Sequence, residues 1–253
     1  MLDIIYFLFQ ELLHKPLFNS LVFLYQTVAF YDFGIAIIIL TVIIRLLLYP
    51  LAQKSIKSQK DMAGIQSDIK KIQEQYKNNK EEQTKQIMAL YKEKKVNPFS
   101  GCLPLLIQLP LLIALYRVFL AGFEDQNLQS LLYSFVPNPG TINHIFLGLI
   151  DISNNKNIIL ALITGVLQFY QSKMMMDHQK ASGQLSKKST PDFSTTLSRQ
   201  MTYMMPVMTA YFAYSFPAGL ALYWIITTAF SIVQQWIVFK KEDVSPIKTK
   251  NSA

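Results

Sequence analysis

Residues 33–53, FGIAIIILTVIIRLLLYPLAQ, constrain the chain more than any other stretch. They form about 20 almost entirely apolar residues, the length a helix needs to cross a bilayer. One charge interrupts them, Arg45. On a continuous helix rising about 1.5 Å per residue, Arg45 would stand roughly 18 Å from one end and 12 Å from the other. A guanidinium at mid-helix is unfavourable by about 2.5–3.5 kcal/mol on insertion scales. All sixteen acidic residues fall outside the apolar runs, the nearest in sequence being Asp32 and Asp61. No span supplies a counter-ion, so Arg45 is expected either to face water within the membrane or to receive a negative charge from another molecule. A structural arginine held by carbonyls and hydroxyls of neighbouring helices is the plainer alternative.

The rest of the composition agrees with a polytopic membrane protein. Of 253 residues, 51% are hydrophobic and 16% charged, against about 25% charged in a soluble domain. The single cysteine, Cys102, excludes a disulfide framework and reads as a small packing residue. His14, His144 and His178 lie too far apart for metal-ligand spacing, and no Gly-rich phosphate loop or hydrolase motif occurs. The expectation is no enzyme, no metal and no cofactor.

Charge along the chain gives a topology. Eleven lysines lie between Lys54 and Lys95; Lys173, Lys180, Lys187, Lys188 and Arg199 form a second basic group, and Lys240, Lys241, Lys248 and Lys250 a third. Residues 1–32 and 121–156 contain only Lys15 and Lys156. Basic loops stay in the cytoplasm, which predicts five spans with the N-terminus outside and the C-terminus inside.

The expected order is as follows. Residues 1–32 form an amphipathic segment on the outer membrane surface; the run Ile4–Phe9 is too short to span, and no small-residue cleavage site follows it. The first span covers 33–53. Residues 54–97 carry Met62, Ile65, Ile69, Ile72 and Tyr76 at coiled-coil spacing, a break at Asn78-Asn79, then Ile87, Leu90 and Tyr91. That predicts a thinly held antiparallel helical hairpin in the cytoplasm. The second span, 98–120, contains Pro104, Gln108 and Pro110, with Arg117 near its outer end, where it can snorkel, and Glu124 just beyond. Residues 121–156 form an outer loop with a short apolar patch at 145–150. The third span, 157–175, carries Gln168 and Gln171 and ends in the Met174-Met175-Met176 cluster, which reads as packing. A flexible loop, 176–199, leads to the fourth span, 200–216, and the fifth, 218–239, joined tightly at Pro217. A polar tail, 240–253, closes the chain.

The segments MALYKEKKVNPFSGCLPLLIQLPLLIALY (88–116), IIRLLLYPL (43–51) and FPAGLALYW with the following QQW (216–224, 234–236) resemble, in order and spacing, the YidC-type membrane protein insertases. The resemblance covers about residues 17–240. It implies an all-α membrane protein, five helices around a hydrophilic groove open to the cytoplasm and the lipid, with the 54–97 hairpin projecting into the cytoplasm. It further implies Arg45 as the groove arginine, Gln108 and Gln171 as lining residues with Gln168 beside them, and Tyr223 and Trp224 as an aromatic pair that contacts the incoming chain. The implied role is insertion, translocation and folding assistance for nascent membrane proteins at the bacterial plasma membrane. The ribosome and the Sec translocon are candidate partners, lipids the environment, and no specific nucleic acid is implied.

The likeness is to the minimal form, lacking the large outer domain of some members, with no lipid-modified cysteine near the start. The short tail weakens the case for strong ribosome tethering. A small transporter that binds an anionic solute at Arg45 is the main rival. It is disfavoured by the lack of an internal repeat and of an intramembrane Asp, Glu or His to couple protons. A non-catalytic scaffold for helix assembly is a second.

Overall fold

Apolar runs of this length, with few strand signals between them, should fold as long helices, and they do. The computed structural model describes residues 2–97, 103–123, 128–181 and 193–243. Cys102, Glu124, residues 182–192 and the tail beyond Asp243 lie outside the described residues. The helices are α1 (Leu2–Phe9), α2 (Lys15–Thr27), α3 (Phe33–Leu47), α4 (Tyr49–Gly64), α5 (Gln66–Gln75), α6 (Lys80–Glu93), α7 (Leu103–Phe123), α8 (Leu128–Leu131), α9 (Ile158–Ala181), α10 (Phe193–Ser215) and α11 (Ala218–Asp243). A single π turn, Gln10–His14, joins α1 to α2. Two short strands, β1 (Ile145–Phe146) and β2 (Ile150–Asp151), pair antiparallel with Ile145 opposite Asp151 and Phe146 opposite Ile150.

Among the described residues, two helices are long and apolar enough to cross a membrane, Ile158–His178 and Ala218–Lys240. Phe33–Leu47 qualifies only together with Tyr49–Gln59. The run expected to be one helix over 33–53 is thus broken at Leu48. Pro50 accounts for the break: it has no N–H to offer Leu46 O and its ring crowds that carbonyl, while it fits comfortably in the first turn of a new helix. Leu48 caps the end of α3, its N–H donating to Ile44 O. Arg45 lies in the last turn of α3, where a cation complements the helix dipole.

The chain divides into two compact units. The first comprises residues 1–48, 105–170 and 203–230. Its core joins Phe18, Leu21, Val22 and Tyr25 of α2 to Phe33, Ile37 and Leu40 of α3. Leu115, Val118 and Phe119 of α7 and Leu220, Leu222 and Tyr223 of α11 complete it. The buried face of α2 therefore packs on protein, while α1 leaves Ile4, Tyr6, Phe7 and Leu8 exposed. Arg117 is exposed and lies 5.6 Å over the rings of both Tyr6 and Phe9. His14 is buried, with neither ring nitrogen hydrogen-bonded. Desolvation, with the Arg117 charge adding to it, holds its imidazole below the ordinary value.

A polar layer ties residues 131–147 of this unit to its N-terminal part. Asn19 donates to Lys15 O and Leu131 O, both at 2.8 Å, and accepts from Tyr133 N at 2.6 Å. The Tyr25 hydroxyl accepts from Asn143 N at 2.8 Å. Asp32 uses both carboxylate oxygens. One caps α3 by accepting from Ile35 N at 3.0 Å, and the other accepts from Leu147 N at 2.7 Å in the β1–β2 turn. Gly34 lets the β1 strand approach, because a Cβ there would fall 2.3 Å from Phe146 Cδ2.

The second unit comprises residues 49–104, 171–202 and 231–253. Ile56 of α4 packs with Val238 and Phe239 of α11 and with Met174 and Met175 of α9, so the methionine cluster serves as packing here. The His178 ring stacks on Phe239 at 3.9 Å. Gln234 Nε2 donates to Tyr49 O at 3.1 Å. A separate cluster of Ile65, Ile69 and Leu90, flanked by Met62, Ile72, Ile87 and Tyr91, holds α5 against α6. These are the stripe residues of the sequence pattern. Asn79 caps α6 by accepting from Glu82 N at 3.1 Å, and Gln83 Nε2 donates to Gln73 O at 2.9 Å across the turn.

Candidate functional site

The site is built from three helices of the first unit, α3, α7 and α11. Ending α3 at Leu47 leaves Arg45 half-buried one turn from the carbonyl end. Its Nη2 donates to Gln108 Oε1 at 3.3 Å. Gln108 Nε2 in turn donates to the Tyr223 hydroxyl at 2.6 Å. Tyr223 is 1% exposed, and the Leu220 and Leu222 that flank it on α11 are buried in the same core. No carboxylate among the described residues comes within ion-pair distance of Arg45.

The chemistry of the three groups fixes the sense of the chain. Guanidinium has five N–H donors and no acceptor, so Gln108 must turn its oxygen to Arg45 and its NH₂ to Tyr223. The phenol oxygen therefore accepts, and its own proton points elsewhere. One neutral oxygen at 3.3 Å is a long bond for a charged donor, for which about 2.7–2.9 Å is usual. The Tyr223 side chain also interacts with the guanidinium.

Of the residues singled out in the sequence, the structure brings Arg45, Gln108 and Tyr223 together. Trp224 is half-buried and packs against the core of the first unit. Gln168, on α9, is half-buried, and no hydrogen bond joins it to the Arg45 group. Gln171 is also half-buried and belongs to the second unit. The Tyr223 ring is almost fully enclosed, and its hydroxyl is the end of a part-buried polar chain through Gln108 to Arg45. Sequence reasoning overlooked Asp32 and Asn19. Asp32 carried a readable signal, an acidic residue directly before an apolar helix, which is the usual N-cap pattern. Asn19 carried none, because its three partners are defined only once residues 131–133 fold back.

Helices of this length, carrying a half-buried arginine with no acid partner among the described residues, define a membrane protein with a polar site among its helices. Comparison with known proteins gives the family. The family model described as 60Kd inner membrane protein matches residues 23–245, and the chain belongs to that family. It is 35% identical over 231 residues to a membrane protein insertase YidC of Rickettsia prowazekii (strain Madrid E), covering 89% of this chain and 38% of that relative. It is 32% identical over 230 residues to a membrane protein insertase YidC of Geobacter metallireducens, covering 90% and 37%. Among solved structures it is similar to a crystal structure described as an active YidC insertase with its first transmembrane domain resolved. The TM-score is 0.58 at 28% identity, over 87% of this chain and 45% of that one. The chain therefore spans well under half the length of the curated relatives it matches, and its mostly helical fold is that of the YidC structure.

Proposed function

We propose that the chain is a membrane protein insertase that passes hydrophobic segments of nascent proteins from the cytoplasm into the bilayer and assists their folding. Family membership supports the class. The single observation that carries the mechanism is Arg45, which has no acid partner among the described residues and donates to a neutral amide. A positive charge so placed attracts an acidic outer segment of a client and lowers its barrier to crossing. The client's apolar helix then leaves to lipid past α11, where Tyr223 and Trp224 lie. The proposed groove is lined by Arg45, Gln108, Gln168, Gln171, Tyr223 and Trp224. No nucleotide is required, since transfer of about 20 apolar residues into lipid supplies the driving force. The membrane potential adds about 2.3 kcal/mol per 100 mV for each charge moved fully across.

The architecture that goes with this reading has five spans, at 33–53, 98–120, 157–175, 200–216 and 218–239. The N-terminus lies outside the plasma membrane of a bacterium, and the 54–97 hairpin, the 176–199 loop and the tail lie in the cytoplasm. The ribosome and the Sec translocon are the proposed partners beyond the client. Cysteines placed at Thr84 and Asn138 in a Cys102→Ser background should label from opposite faces of intact vesicles; labelling from one face would refute the topology.

Reconstitution tests the function. Purified protein in liposomes should insert a small single-span client with an acidic outer segment, in the absence of nucleotide, as read by protease protection. Vesicles that instead accumulate a small anion without inserting the client would establish the transporter reading.

A further inference from the structure

A half-buried guanidinium whose bond to the Gln108 amide is long, and whose other close neighbour, Tyr223, is an uncharged phenol, leaves room for a better acceptor. We propose that Gln108 is the resident neutral occupant of an anion site, and that a client aspartate or glutamate carboxylate displaces its amide from Arg45. This inference rests on the insertase reading above and adds the residue that sets how strongly acidic clients are preferred.

The argument runs through the three side chains. The Gln108 oxygen sits 3.3 Å from Arg45 Nη2 and carries no charge. A carboxylate brings two oxygens and a full negative charge, and such bonds are about twice as strong as neutral ones. The Gln108 side chain is long and flexible, so its amide can swing aside. The hydroxyl of Tyr223 is placed to help on release. It now accepts from Gln108 Nε2 at 2.6 Å. Once that amide has moved, the phenol can turn its proton toward the arriving carboxylate, so that Arg45 and Tyr223 both donate to it. The amide thus keeps a lone buried charge partly satisfied between clients without neutralising it. An internal acid in its place would bind Arg45 permanently and shut acidic clients out.

The test exploits that difference. Gln108→Glu places a carboxylate on the same atoms, whereas Gln108→Met keeps the length and removes the oxygen. Each variant is reconstituted in liposomes with two forms of one client, with the outer segment acidic or converted to Asn and Gln. The ratio of acidic to neutral client insertion should fall tenfold or more in Gln108→Glu, and should stay level or rise in Gln108→Met. An unchanged ratio in Gln108→Glu overturns the inference, as does a fall in Gln108→Met equal to that in Gln108→Glu. If Gln108→Glu fails to fold, the Met variant decides alone: a ratio at or above wild type supports displacement, a lower one refutes it. Arg45→Ala is run alongside. Should it insert the acidic client normally, the insertase mechanism itself fails; should it fail while Gln108→Glu works normally, only the role given to Gln108 falls.

Discussion

Arg45→Ala is expected to lose insertion of clients with acidic outer segments by about tenfold or more, with a much smaller effect on neutral ones. Two opposite charges 4 Å apart attract by about 1 kcal/mol in water and about 4 kcal/mol at an effective dielectric of 20. A half-buried site lies between these limits, and each 1.4 kcal/mol is a factor of ten. Arg45→Lys should keep much of the activity. Among the described residues Arg45 makes no two-pronged carboxylate pair, its neighbours being the Gln108 amide and the Tyr223 phenol, so the carboxylate fork that distinguishes arginine from lysine is not in use. Insertion rates of matched acidic and neutral clients in liposomes decide the matter. A lysine variant as defective as alanine would make the role geometric. An alanine variant that folds and inserts both clients equally well would end the charge mechanism.

Asp32→Ala should be the most damaging substitution outside the Arg45 site. It removes the N-cap of α3, a loss of about 0.5–2 kcal/mol. It also takes a charged acceptor from Leu147 N, whose bond is about 1.5–3 kcal/mol. Together these make a local destabilisation of roughly 2–5 kcal/mol if the two losses add. Asp32→Asn should fall between, since a single carbonyl oxygen cannot serve Ile35 N and Leu147 N as two carboxylate oxygens do. Hydrogen exchange resolved by segment is the measurement. Protection should drop in the first turn of α3 and in residues 145–152, leaving α5 and α6 unchanged. Equal protection in Asp32→Ala and wild type would show that the clasp contributes nothing.

Much of this was legible before any coordinates. The hairpin stripe Met62, Ile65, Ile69, Ile72 answers to a cluster in the structure because packing of two helices depends on period alone. The tight joint at Pro217 is likewise a local matter of ring sterics, and α10 and α11 end and begin beside it. The break at Leu48 was obscured because apolarity continues straight through it, although Pro50 stood there as the signal. Two-residue strands carry no period, so β1 and β2 appeared only as an apolar patch. The Arg45 group was half readable. A charge without a partner announces itself, and Gln108 is polar in an apolar run. The bond from Gln108 to Tyr223 joins residues 115 apart, and nothing in either neighbourhood announces the other. The burial of Tyr223 followed from tertiary packing and not from its flanking residues.

The polar layer that fastens residues 131–147 has a consequence in time. Its bonds join Asn19 to Tyr133, Tyr25 to Asn143 and Asp32 to Leu147, across 114, 118 and 115 residues. None can form until the later partner has left the ribosome. At about 5–20 residues per second, that is roughly 6–24 s after the earlier one. During that interval Asn19 and Asp32 keep only their local bonds to Lys15 O and Ile35 N, and the buried face of α2 has only α3 to pack on. The N-terminal layer thus waits on residues 131–147, and a ribosome pause between residues 32 and 147 would prolong its exposure.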